Sequence, residues 1–383
     1  MEYVQGRVAT LHDLADPLPT VPTDRAAVVV PMTERDCQGD AADRALRTLE
    51  RLDPARVVVP LRAAPERVGA VREWLSTYDL RLELLWCDGP RIAGLLSDAG
   101  LAGGRGKGRD VWLALGRATE ADFVVVHDAD TTTYDESFVR RLLFPLAQGY
   151  DFSKGYYARV EDRRLYGRLF RLFYVPLVRT LVDAHPEPYL QYLDSFRYAL
   201  AGEFAATAET ARRIRTPRKW GLEVGTLGDA FDVAGFAGTA QVDLGRYEHD
   251  HRSVGGSAGL SEMSQSVGET LLRGVLDHGI DVDFETLAER YQVAAEALVD
   301  QYALDAAFND FRFDRDHERT QVARYAAAVT EPGGSDDRLP AWTNAPITGD
   351  EVMAAAAADL EDATGSGPTD APPIDAGGGG GGE

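Results

Sequence analysis

The strongest constraint on this chain is the regular return of short β-branched runs between stretches whose apolar residues recur at helical spacing. AAVVVPM (26–32), RVVVPL (56–61), RLELLWC (81–87) and DFVVVHDAD (122–130) read as strands. The intervals near 39–52, 65–78, 90–99 and 109–118 read as helices. Strands joined through helices must run parallel, and continuous apolar strands of this kind are buried on both faces. The expected class is therefore α/β: an open, mostly parallel sheet flanked by helices, with ligands at the carboxyl ends of its strands. The chain divides into a lead-in at 1–24, an α/β region at 25–135, a more helical region at 136–330 and a tail at 331–383. The tail is acidic and glycine-rich, so it is expected to be mostly disordered, with one short helix near 349–361.

Charge narrows the partners. The chain carries 62 Asp and Glu against 40 Lys and Arg, a net charge of −22. Only Lys107, Lys154 and Lys219 are lysines. A surface this acidic repels nucleic acid and anionic membranes, which excludes both as expected partners. It fits molar salt, where screening removes the self-repulsion, and so predicts a halophilic setting. No apolar run approaches the roughly 20 residues of a membrane helix, so integral membrane association is not expected. The N-terminal segment lacks a basic and apolar leader, so the expected location is cytoplasmic. Cys37 and Cys87 are too few for a disulfide framework and read as inert thiols.

The sharpest chemical feature is HDAD at 127–130, directly after FVVV. Asp128 and Asp130 flank Ala129 at a strand's carboxyl end. Two hard carboxylates there suit Mg²⁺ or Mn²⁺; the alternative is a polar strand end in which Thr131 to Asp135 cap the helix beginning near Glu136. GGRGKG (103–108) offers backbone N–H groups and Lys107 to a phosphate, but it lacks the spacing of a nucleotide triphosphatase loop. His249 and His251 in EHDH face one side of an extended segment and offer imidazole to a metal. In WGLEVGTLGDAFD (220–232), Glu223 opens an apolar helix, either as a dipole-stabilising acid or as an acceptor for a substrate hydroxyl. LYGRLFRLFYVPLVRTL (165–181) places arginines among aromatics, either as a solvated helix face or as a clamp for an anion.

Taken together, VVVP, GKG-x-x-x-W (106–112), DAD, GRL (167–169), LAGEFAAT (200–207), GLEVGTLGDAFD (221–232), AQVDLG (240–245) and MSQSV (263–267) resemble the glucosyl-3-phosphoglycerate synthases. These are retaining glycosyltransferases of the GT-A fold. The likeness runs from about residue 26 to about 275. It implies that Pro31, Glu34, Lys107, Asp128, Ala129 and Asp130 hold a nucleotide sugar. It also implies that Asp130 and His249 ligate the metal, that Glu223 is catalytic at the acceptor hydroxyl, and that Gly167 and Arg168 bind the phosphoglycerate. Homodimerisation is implied as well. The chain departs from the family at MTERD (32–36), at Phe170 in place of a threonine, and at Tyr247 in place of a basic residue.

The expected function is metal-dependent transfer of glucose or mannose from a UDP- or GDP-linked sugar to 3-phosphoglycerate or a similar small anionic acceptor, in compatible-solute synthesis. The alternatives are a GT-A enzyme with a lipid or polysaccharide acceptor and a non-catalytic sugar-nucleotide-binding module. A sugar-phosphate nucleotidyltransferase would need a glycine- and basic-rich loop after the first strand, and MTERDCQGD lacks one.

Overall fold

The structure is a computed structural model. It describes residues 5–248, 256–334 and 336–365, without the side chains of 256–260. Along the chain, β1 (Ala9–Leu11), β2 (Ala26–Val29), β3 (Met32–Thr33), β4 (Arg56–Arg62), β5 (Leu82–Trp86) and β6 (Phe123–Val126) alternate with α1 (Asp40–Leu52), α2 (Pro65–Leu75), α3 (Pro90–Asp98) and α4 (Lys107–Ala118). Next come α5 (Glu136–Ala147), β7 (Phe152–Ala158) and a small hairpin of β8 (Val160–Glu161) and β9 (Arg164–Leu165). A π-helical turn at Phe170–Tyr174 enters α6 (Val175–Ala184), followed by α7 (Pro188–Leu193), β10 (Phe204–Thr207), α8 (Ala208–Arg213), α9 (Leu222–Ala234) and β11 (Thr239–Arg246). The helices α10 (Gly256–Asp277), α11 (Phe284–Phe308), α12 (Arg315–Ala326) and α13 (Gly349–Gly365) complete the described chain.

One sheet runs β1-β11-β7-β10-β6-β2-β4-β3, with β5 also on β4. Its pairs are parallel except those of β10, which is antiparallel to both β6 and β7. The valine runs explain its centre: Val28, Val29, Val57, Val58 and Val124 through Val126 are all buried. Each such side chain contributes roughly 1.5–3 kcal/mol by leaving water. Pro65 and Pro90 open α2 and α3 where their missing N–H costs nothing. Asp135 caps α5 by accepting from the Ser137 N–H at 2.8 Å.

Two expectations need correction. The lead-in is not wholly outside the fold, because β1 pairs in parallel with β11 and extends the sheet to its edge. Three residues were too short a run to stand out among the prolines. The described residues of the tail, up to residue 365, pack onto the rest of the fold. Leu339 bridges to Thr216, the Trp342 ring stacks on Trp112 at 4.4 Å, and α13 packs on the outer helices. A capping box opens α13: Thr348 accepts from the Glu351 N–H at 3.2 Å, and Glu351 accepts from the Thr348 N–H at 2.7 Å. Its buried Val352, Ala356 and Leu360 form an amphipathic pattern, and the helix stands where one was expected near 349–361. Residues 366–383 lie outside the described residues. Among the described residues, no helix is long and apolar enough to cross a membrane.

Candidate active site

Parallel β2, β4 and β6 end at one edge of the sheet, and the expected donor residues gather there. Pro31, Lys107, Asp128, Ala129 and Asp130 line one cavity of about 240 Å³. His127, just before them, turns inward. Its Nε2 lies 2.8 Å from the Tyr134 hydroxyl, and burial pulls its imidazole down to about 4. It is therefore neutral and serves packing.

Lys107 Nζ stands 2.6 Å from Asp128 Oδ1 and 3.2 Å from Glu223 Oε1. Burial pulls its ammonium down, but the charges of Asp128, Glu223 and Glu203 outweigh burial and hold its pKa well above the ordinary lysine value. Lys107 is the first residue of α4, two residues earlier than the expected helix start. The neighbouring glycines serve close packing. A Cβ at Gly108 would lie 1.7 Å from the Pro217 carbonyl oxygen, and the Arg109 N–H donates to the Arg218 carbonyl at 3.0 Å. Glu223 sits in the first turn of α9 behind Gly221, whose φ of 108° is a left-handed conformation that favours glycine.

The antiparallel strand supplies the floor. Because β10 runs against β6, its entrance rather than its exit stands at the site edge: Phe204 pairs with both Val126 and Lys154. Gly202 and Glu203, immediately before it, therefore abut the Asp128 turn. A Cβ at Gly202 would lie 2.5 Å from Asp128 Oδ2 and 3.1 Å from Lys107 Nζ, so the pair depends on a bare backbone there. Glu203 is fully buried and accepts from the Tyr247 hydroxyl at 2.8 Å. Its pKa is raised by burial and then by Asp128, against the opposing pull of Tyr247 and Lys107. Lys154 is buried in β7 and donates to the Ala201 carbonyl at 2.5 Å. Burial draws its ammonium down to about 8, despite the acids nearby.

The chain after the two aspartates is tied to the end of β11. The Thr132 N–H donates to the Glu248 carbonyl at 2.9 Å, and the Thr133 hydroxyl donates to the Arg246 carbonyl at 3.0 Å. His249 and His251 themselves lie outside the described residues.

Other expected residues stand apart from the cavity. Glu34 does not line it. Thr33 and Asp36 close a capping box that turns the loop, and the Glu34 carboxylate accepts from the Ala64 N–H at 2.8 Å, at the start of α2. Gly167 adopts a φ of 75° before the π-helical turn. The Arg168 guanidinium is engaged by Glu318 of α12, with Nε 3.0 Å from Oε1.

Sequence reasoning missed several lining and supporting groups. Asp36, Arg62, Asp110 and Trp220 also face the cavity, and Arg62 pairs with buried Asp110 at 3.1 Å. Arg62 was reachable, since it closes a strand at the ligand-binding edge, and Asp110 lies one turn beyond Lys107. Lys154 and Glu203 carried no such signal, because their placement follows from the register of β10.

The comparisons with known proteins come down on one family. A glucosyl-3-phosphoglycerate synthase of Methanococcoides burtonii is 32% identical over 385 residues, covering 90% of this chain and 94% of that protein. One from Persephonella marina is 34% identical over 321 residues, 79% of each chain. The glucosyl-3-phosphoglycerate synthase of Mycobacterium tuberculosis has been solved with Mn²⁺, UDP-glucose and phosphoglyceric acid. It superposes with a TM-score of 0.54 at 26% identity, covering 72% of this chain and 89% of that one. The same protein with Mg²⁺ and UDP gives a TM-score of 0.54 at 25% identity, over 72% and 88% of the two chains. No family model matches the chain.

Proposed function

The chain belongs to the glucosyl-3-phosphoglycerate synthase family, and from that premise we propose that this cavity transfers glucose from UDP-glucose to 3-phosphoglycerate, dependent on Mg²⁺ or Mn²⁺ and with retention at the anomeric carbon. The relatives solved with UDP-glucose and phosphoglyceric acid favour UDP over GDP and glucose over mannose for this chain. The same reading places the enzyme in the cytoplasm, where a charged nucleotide sugar and a glycolytic-type acid would be available.

The donor set fits a hard divalent ion. Asp128 and Asp130 offer carboxylate oxygens, the Thr132–Glu248 bond ties the end of β11 to the turn after them, and the family resemblance adds His249 as a third ligand. Bound there, the ion supplies positive charge against the departing nucleoside diphosphate. Pro31 and Ala129 form the wall for the nucleotide sugar. Lys107, held cationic by its acids, meets diphosphate oxygens without any proton change. Glu223 orients the acceptor hydroxyl towards the anomeric carbon, with Lys107 fixing its carboxylate at 3.2 Å. Gly167 and Arg168 mark the acceptor side. Glu34 is not carried into the proposal, because its carboxylate is already committed to the α2 backbone.

The observation that carries this reading is the single lysine bridging Asp128 and Glu223, which joins the donor and acceptor ends of the reaction through one cation. The test is nucleoside diphosphate release in molar KCl with Mg²⁺, crossing UDP-glucose and GDP-glucose with 3-phosphoglycerate and glycerate. We expect release that depends on 3-phosphoglycerate and disappears in Asp130→Ala. Donor binding with no acceptor-dependent release would sink the phosphoglycerate reading and favour a lipid or polysaccharide acceptor.

A further inference from the structure

The end of β11 is held by side chains, because its ladder gives out. β1 pairs with β11 as far as Val242. On the other side, the pairing with β7 shifts register between Asp243 and Arg246, around Gly245, whose φ of 81° is left-handed. A bulge re-aims the residues that follow it, so bonds other than the regular ladder must fix them.

Tyr247 supplies one from inside the fold. It is buried, its ring stacks on Tyr157 at 4.0 Å, and its N–H donates to the Ala158 carbonyl at 3.2 Å. Its hydroxyl donates to Glu203 Oε1 at 2.8 Å. Glu203 is a fixed point, since its carbonyl accepts from the Gly155 N–H of β7 at 2.9 Å. It also follows Gly202, the residue that abuts Asp128. The phenol therefore joins the end of β11 to the floor beneath the aspartate. On the other side, the Glu248 carbonyl accepts from the Thr132 N–H at 2.9 Å and the Thr132 hydroxyl at 3.1 Å, and the Glu248 N–H donates to the Thr133 hydroxyl at 3.3 Å. Thr132 stands two residues after Asp130, and Glu248 directly precedes His249.

Burying a carboxylate against a phenol is costly where an apolar pair would pack as well, so packing alone does not account for Glu203 and Tyr247. Tyr247 also stands where the family carries a basic residue. In this chain the position offers no cation to a ligand and bonds inward instead.

We propose that Tyr247 and Glu203 are positioning residues for the divalent metal: their bond fixes the end of β11 so that residue 249 meets an ion held by Asp128 and Asp130. The assignment rests on the metal-dependent reading above. In this role neither side chain touches the ion; both act through the strand end.

The test is Mn²⁺ titration in the presence of UDP, with free Mn²⁺ read from its EPR signal. The full chain is compared as wild type, Tyr247→Phe, His249→Ala and the variant carrying both changes. Phenylalanine keeps the stacked ring, and losing a group that orients a metal ligand costs about ten- to a hundredfold in affinity. The Mn²⁺ Kd should therefore rise by about tenfold or more in Tyr247→Phe, but by less than about twofold when the same change is made in His249→Ala, where no imidazole is left to position. Tyr247→Phe combined with Glu203→Gln breaks the bond without stranding a buried charge, and should show the same loss at a thermal midpoint close to that of the wild type. A rise under about threefold in both Tyr247→Phe and that combination, or an equal rise with and without His249, overturns the positioning role. Mn²⁺ binding that His249→Ala leaves unchanged overturns the ligand assignment of residue 249, and this role with it. Wild-type protein that binds no Mn²⁺ with UDP overturns the metal-dependent reading itself.

Discussion

At the donor side, charges of opposite sign are packed against one another on rigid strand ends. Lys107 is shared between Asp128 and Glu223, with Glu203 and Lys154 buried beneath. At the proposed acceptor side the cations are anchored outward, to α12: Arg168 and Arg171 both approach its Glu318. The first arrangement is preorganised for a charge that develops during reaction, because its dipoles need no rearrangement. The second is assembled across elements far apart in sequence, so its geometry depends on how α12 packs on the π-helical turn. The donor half should therefore tolerate loss of acceptor-side groups, while loss of its own central cation should disable everything.

That contrast is tested hardest at Lys107. Lys107→Met leaves Asp128, Glu223 and buried Glu203 facing one another with no cation between them. We expect kcat/KM to fall by about a thousandfold or more, the scale of removing a central electrostatic group. A fall under tenfold would mean that the charge network is structural and that the donor side is not the reactive one.

Lys154 sharpens the comparison from below, because it is the one cation of the donor floor that burial disfavours. Above its ordinary pKa of 10.5 the group is neutral in folded and unfolded chains, and burial carries no charge penalty. As pH falls from 10.5 to about 8 the unfolded chain takes the proton first, so stability drops through that window and then levels off. The drop is on the order of 3 kcal/mol. Urea unfolding of wild type and Lys154→Met at about pH 10 and about pH 7.5 reads it directly. The difference should move in favour of the methionine variant as pH falls. An unchanged difference would show that Lys154 keeps its proton equally in both states.

The sequence made one of the two sides far more legible than the other. The valine runs announce β2, β4 and β6 because strands buried on both faces need continuous apolar residues, and the acids ending FVVV then stand at a known edge. Lys107 was visible as a rare lysine beside glycines. Lys154 is as rare a lysine and Glu203 lies within LAGEFAAT, but their meeting at the floor was not legible, because it depends on β10 entering the sheet antiparallel beside β7 and four residues of FAAT carry no directional signal. Glu34 shows the reverse failure. Its position in the loop matched, yet the Thr33–Asp36 capping box rotates it towards α2. Arg168 matched by motif as well, but its partner lies 150 residues away on α12, a contact that no local pattern encodes. Beyond residue 331 the expected helix near 349–361 is present as α13, but the packing of residues 336–347 was missed because the composition of the segment outweighed it.

Gly202 separates geometry from charge at the donor side. Gly202→Ala changes no charge and removes none of Lys107, Asp128 and Glu223. Its Cβ would start 2.5 Å from Asp128 Oδ2, closer than a carbon can stand, and 3.1 Å from Lys107 Nζ. Both neighbours are ends of side chains, so they can swing aside at little cost to the fold. Asp128 then leaves the orientation in which Lys107 holds it. A displacement of this size in a positioned group costs roughly ten- to a hundredfold in turnover. We therefore expect kcat/KM for UDP-glucose to fall by that factor, with the thermal midpoint close to that of the wild type. A variant that unfolds early while its remaining folded fraction turns over normally would mean that Gly202 serves the packing of β10. In that case the preorganisation argued for the donor side would rest on the charges alone.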